Sequence, residues 1–172
     1  MPEQPQTLKL TASESVRILP GDGPDLLVEA TYGAGGSPPP PHTHPAQDES
    51  FEVLEGSIST KVAGERRTLA VGETIEIPRG QAHQMWNPGS EPAKVRWTTS
   101  PAGRTEQWFR ALDALQREGK TDSKGLPSPL AFAVVAESFE DTFRLAVGPV
   151  LVSRAAIRAL ALAGKLRGHR AP

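Results

Sequence analysis

Residues 38–56 read PPPPHTHPAQDESFEVLEG and hold two of the chain's four histidines, His42 and His44, directly behind four prolines. A run of prolines locks φ and favours an extended polyproline conformation, so the chain enters this segment already straightened. In extended backbone, residues i and i+2 point to the same side. His42 and His44 therefore aim their rings at one point with little conformational entropy left to lose. Beyond a bend near Pro45, Glu49 and Phe51 are placed to share that inward side. Two neutral imidazoles and a carboxylate form a mixed nitrogen and oxygen donor set. Such a set suits Mn, Fe, Co, Ni, Cu or Zn rather than Ca or Mg.

Working outward, short apolar or alternating runs fill residues 7 to 100. DLLVEATY, SFEVLEG, SISTKVAG, RRTLAVG, ETIEIPRG, HQMWN and AKVRWTT each predict a strand. Glycine and proline punctuate them at Gly56, Gly64, Gly72, Pro78–Gly80 and Pro88–Gly89, a spacing that suits hairpins. Many short strands with no helical pattern among them predict an antiparallel sandwich or barrel. HQMWN carries the third histidine, His83, just after a Pro-x-Gly turn. A curled sheet would bring it opposite the first pair.

After Pro101 the period changes. Trp108, Phe109, Leu112 and Leu115 fall at helical spacing, with Gly119 as a stop. LAFAVVAESFEDTFRLA, residues 130–146, predicts a second helix through Phe132, Val135, Phe139 and Phe143. PVLVSRAAIRALALAGKLRG predicts a third, with Pro149 in its first turn and an end near Gly168. The expected organisation is a barrel over 1–103 and an extension of two or three helices over 104–172 packed on it.

Composition narrows the function classes. A formal net charge of −1 over 172 residues gives no overall field for nucleic acid or an anionic membrane. The absence of cysteine excludes disulfides and thiolate ligands. The polar start MPEQPQTLKL has no signal-peptide core, and AIRALALAGKL is too short to cross a bilayer. These features predict a soluble, cytoplasmic protein. The basic tail around His169 reads as a solvated terminus, and the arginines after Pro149 as a solvated helix face.

The spacings also carry a family resemblance. Gly36, His42-x-His44, Glu49 and Gly56 match the first motif of the cupin superfamily, and Gly72, Pro78-x-Gly80, His83 and Asn87 match the second. The chain thus resembles a single-barrel cupin. The resemblance implies a jelly-roll-like β-barrel holding a divalent transition metal, with Fe, Mn or Ni favoured and Zn or Cu also accepted, through His42, His44, Glu49 and His83. Glu49 would act as ligand, as base, or as both in turn. Asp48 and Glu52 are its competitors, and spacing favours Glu49. Asn87 reads as a residue that ties a turn. Strand phase makes Phe51, Val53, Met85 and Trp97 either pocket lining or plain core. The resemblance further implies a small-molecule substrate and a homodimer. The function expected is an oxidoreductase of dioxygenase type acting on a small aromatic or enolisable compound. The alternatives are a non-redox isomerase, lyase or cyclase, and a non-catalytic ligand-binding module.

Overall fold

Alternation in the sequence becomes two antiparallel sheets. The computed structural model describes residues 6–21 and 23–171. In chain order the elements are β1 (Thr7–Lys9), β2 (Glu14–Ile18), β3 (Leu26–Tyr32), β4 (His42–Thr43), β5 (Asp48–Glu55), β6 (Ser57–Val62) and β7 (Glu65–Ala70). There follow β8 (Thr74–Ile77), β9 (His83–Trp86), β10 (Ala93–Ser100), α1 (Thr105–Arg117), α2 (Pro129–Ser138), β11 (Arg144–Leu145) and α3 (Val150–Leu166). One sheet runs β1-β2-β3-β10-β5-β8 and the other β11-β4-β9-β6-β7. The chain passes repeatedly between the sheets, as in a jelly roll.

The period-2 pattern decides what lies between them. On β3, β5 and β10 every second residue is buried. Register then stacks these residues in rows: Trp97 opposite Phe51 and Val28, Val95 opposite Val53 and Ala30, and Thr99 opposite Glu49 and Leu26. Each large apolar side chain buried this way contributes roughly 1.5–3 kcal/mol relative to leaving it in water. Gly56 turns β5 into β6 at φ +73, where an added Cβ would lie 2.9 Å from the Pro92 carbonyl oxygen. Only glycine meets both demands.

The helices close one end of the barrel. On α1, Trp108, Phe109, Ala111 and Leu115 are buried and join the main core, and the Phe109 ring stands 5.0 Å from that of Trp97. Ser128 caps α2 by accepting from the Ala131 amide, with Pro129 in the first turn. α2 is apolar on most sides, which fits its place between barrel and α3.

The second predicted helix is shorter than its sequence period. The heptad-like spacing of Phe132, Val135, Phe139 and Phe143 runs to 146, but α2 ends at Ser138. Arg104 donates to the Ser138 carbonyl, and the Thr142 amide donates to the Phe139 carbonyl in a turn. The chain then doubles back, and Arg144 and Leu145 pair with Thr43 and His42. A free edge on β4 competes for those backbone groups, and a helical period carries no record of it. Among the described residues no helix is long and apolar enough to cross a membrane.

Candidate metal centre

His42 on β4 stands directly opposite His83 on β9. His44 lies two residues on, so its ring falls on the same side of the extended chain. Ring centroids are 4.5 Å apart for His42–His83, 5.3 Å for His42–His44 and 5.4 Å for His44–His83. One ring nitrogen from each of the three falls within 4.8 Å of the other two. Glu49 comes from β5 in the other sheet and is 2 % exposed. Its Oε1 lies 3.5 Å from His44 Nε2 and its Oε2 3.1 Å from His83 Nε2.

Backbone carbonyls fix how the imidazoles present themselves. Nδ1 of His42 donates to the Pro40 carbonyl at 3.1 Å, that of His44 to Thr142 at 2.7 Å, and that of His83 to Gln81 at 3.0 Å. A carbonyl only accepts, so each Nδ1 carries the proton and each Nε2 keeps a lone pair facing its neighbours. Burial, reinforced by the other two imidazoles, pushes His42 well below the usual histidine range. Burial also lowers His44, with Glu49 opposing it. For His83 burial pulls down, but the Glu49 carboxylate raises it further, and the net direction is up.

These residues fit a metal ion. Two ligands held at about 2.1 Å from one ion and 90–110° apart are roughly 3.0–3.4 Å from each other. The Glu49 contacts with His44 and His83 are of that size. Trp97 Nε1 donates to Glu49 Oε1 at 3.0 Å, whereas the buried Oε2 has no hydrogen-bond partner despite its nearness to His83. A buried carboxylate oxygen without a donor is costly. An ion at that point would satisfy it together with the Nε2 lone pairs. Histidine ligands whose other nitrogen is tied to backbone are the usual arrangement around metals.

The cluster opens on a cavity of about 430 Å³. Phe51, Met85 and Trp97 line it. Val53 does not: one strand step further from Glu49, its side chain packs opposite Val95 in the core and is 1 % exposed. Asp48 points away and is held by Arg79, whose hydrogen bonds keep that carboxyl low, at about 2. Glu52 pairs with Arg96 on the outer face. Asn87 donates to the Tyr32 and Glu91 carbonyls and accepts from the Gly89 amide, which ties the turn.

Four residues of the site escape a sequence reading. Thr142 supplies the carbonyl behind His44, and the Phe143 ring stacks on His42 at 5.0 Å and 25° and on Trp108 at 4.7 Å and 15°. Glu14 and Tyr32 stand side by side on the cavity wall. The only signal for Glu14 is a carboxylate at an inward-alternating position of β2, and nothing local marks Thr142 or Phe143.

Comparison with known proteins agrees with this architecture. Residues 28–99 match the family model described as a cupin domain. Over 91 residues the chain is 34% identical to the tetracenomycin polyketide synthase protein TcmJ of Streptomyces glaucescens, covering 52% of this chain and 54% of that protein. Over 74 residues it is 43% identical to a rhicadhesin receptor of Pisum sativum, covering 40% of this chain and 34% of the other. The chain thus spans about half of the first relative and a third of the second. An RmlC-like cupin from Shewanella frigidimarina superposes with a TM-score of 0.54 at 20% identity, over 62% of this chain and 92% of that one. KdgF from Halomonas sp. gives 0.53 at 16% identity, over 62% and 94%. Likeness at those identities is a likeness of fold.

Proposed function

We propose that this cupin is a metal-dependent enzyme acting on a small aromatic or enolisable compound, of the dioxygenase type of oxidoreductase. The observation that carries the reading is the three-histidine cluster at the wall of a largely apolar cavity, with Glu49 buried against His44 and His83. His42, His44, Glu49 and His83 would hold a divalent ion, with Fe, Mn or Ni favoured by the donor set and Zn or Cu accepted. When bound, the ion would supply Lewis-acid polarisation of a substrate oxygen and, if redox-active, electrons for chemistry with O₂. The relative whose printed name places it in a polyketide synthase supports a polyketide-like or enolisable substrate over a sugar.

The protein's own groups then have defined tasks. Trp97 holds Glu49 Oε1 and leaves Oε2 towards His83, where it would serve the ion as ligand or, released from it, accept a proton from a substrate hydroxyl. Phe51, Met85, Trp97 and Phe109 bury the flat part of the substrate and exclude water. Phe143, stacked between His42 and Trp108, covers the histidines from the side of the helices. A non-redox isomerase, lyase or cyclase is the second reading, and what favours it is a proton-carrying pair, Glu14 and Tyr32, elsewhere on the cavity wall. A homodimer belongs to the same proposal, and sedimentation velocity tests it.

The decisive experiment is element-resolved metal analysis of the tag-free protein beside His42→Ala and His83→Ala. About one Fe, Mn, Ni or Cu per chain, lost in both variants while circular dichroism is unchanged, is expected. Oxygen uptake with aromatic diols and diketones should follow. Zinc at that level, with turnover that persists in the strict absence of O₂, would move the assignment to the non-redox reading. Full metal retention in both variants would overturn the site.

A further inference from the structure

The cavity has a second polar end. Of the titratable side chains on its wall, only Glu14 and Tyr32 are not members of the histidine cluster. They are partners in register across β2 and β3, so their side chains stand together on the inward face. The same cavity is lined by the apolar Leu10, Leu112, Leu126 and Met85, and the hollow beyond the pair also by Thr11, Ser13 and Lys124. A second hollow of about 560 Å³, bounded by residues 33–40 and Asn87, shares Glu14, Tyr32 and Met85 with the first. The pair therefore stands where the two hollows join.

Packing gives no reason for a carboxylate here. The row it ends, Ala93 and Tyr32, would be completed more stably by an aliphatic residue, because a carboxyl facing apolar walls loses its hydration. That loss is visible in Glu14, which burial pushes up to about 7 against the opposing pull of the Tyr32 hydroxyl. Ionisable groups kept in a cavity at such a cost are characteristic of binding and catalytic sites.

Spacing separates the two polar ends. Asn87 donates to the Tyr32 carbonyl and lies four residues beyond His83. At about 3.3 Å per residue of extended chain, Asn87 lies roughly 13 Å along from His83, so Tyr32 is tied to the far end of that segment. A phenol that donates beside a carboxylate that accepts complements a hydroxyl, which does both. We propose that Glu14 and Tyr32 form a second anchor in the cavity, recognising a phenolic or enolic hydroxyl on the end of a fused-ring molecule remote from the histidine cluster. This rests on the reading of the cavity as the site for an aromatic compound, and adds that the ligand carries oxygen at both ends.

The test is binding to the full-length protein loaded with zinc, which is redox-silent. Probes are 2-naphthol, 2,6-dihydroxynaphthalene, 2-hydroxyanthraquinone and 2,6-dihydroxyanthraquinone, titrated at pH 8 by calorimetry and by quenching of Trp97 and Trp108. In wild type at least one dihydroxy probe should bind about tenfold or more tighter than its monohydroxy partner. Glu14→Gln and Tyr32→Phe should each shrink that ratio towards one, leaving the monohydroxy affinity and the zinc content unchanged. Equal binding of both members of each pair by wild type would overturn the anchor. So would a preference that survives in both variants, or loss of zinc in either. If no probe binds wild type, the reading of the cavity as an aromatic site fails, and the anchor with it.

Discussion

At the scale of the residue, Trp97 links the core to the chemistry. Its ring packs between Phe51 and Phe109, and its indole N–H holds Glu49. Trp97→Phe keeps most of the packing and removes the donor. It is expected to cost about 1–3 kcal/mol of stability by orphaning a second carboxylate oxygen. Metal affinity should fall roughly 10–100-fold, as for other residues that orient ligands. Competition with a chelator and a thermal melt measure the two effects separately. Glu14 gives a pH signature. Its folded-state value is raised to about 7, so below that pH the folded chain keeps a proton that the unfolded chain has already released. Stability from this group is therefore greatest at acid pH, falls as pH rises from the ordinary carboxylate range through about 7, and is flat above. At ~1.4 kcal/mol per unit the effect is at most about 3 kcal/mol, reduced by the surface Glu14 shows to the cavity. Denaturant melts of wild type and Glu14→Gln should lie closest at the acid end of this window, where Glu14 is neutral like the amide, and separate towards its upper end with wild type the less stable.

The element that the local pattern misreads is the segment after α2. Phe139 and Phe143 keep a helical interval, yet the helix ends at Ser138 and the chain turns back to pair with β4. That turn brings the Thr142 carbonyl to His44 and the Phe143 ring to His42. α2 itself is fixed against α3 at Gly164, where an added Cβ would meet Val134 Cγ2 at 2.8 Å and the Leu130 carbonyl oxygen at 2.9 Å. Two effects compete in Gly164→Ala. Helix propensity gains about 1 kcal/mol. Overpacking against a backbone carbonyl, which cannot rotate away, costs about 1–3 kcal/mol. We expect a lower melting temperature, and a rise would show that the two helices separate freely.

For the whole molecule, helices and barrel share one core. Phe109 and Leu115 of α1 belong to the same buried cluster as Leu8, Val16, Phe51 and Trp97. Lys9 on β1 also donates its backbone amide to Asp113 of α1. A chain cut at Gly103 would expose that cluster and lose the cover of the histidines. It is expected to aggregate on gel filtration, whereas a soluble, monodisperse barrel would show that the helices only cover a finished core.

Much of this protein follows from its sequence alone. The period-2 runs placed β3, β5, β6, β7, β8, β9 and β10, because alternation reports directly on which face of a sheet is buried. The His42-x-His44 spacing and the position of His83 after its turn, taken together with the motif resemblance, named the three rings that gather. Tertiary structure decided the rest. Which carbonyl stands behind His44, why Val53 packs in the core while Phe51 faces the cavity, and how Glu14 comes to stand beside Tyr32 all depend on register and on segments far apart in the chain. Local periodicity holds no information on contacts between Thr142 and His44, 98 residues apart, and such contacts complete the site.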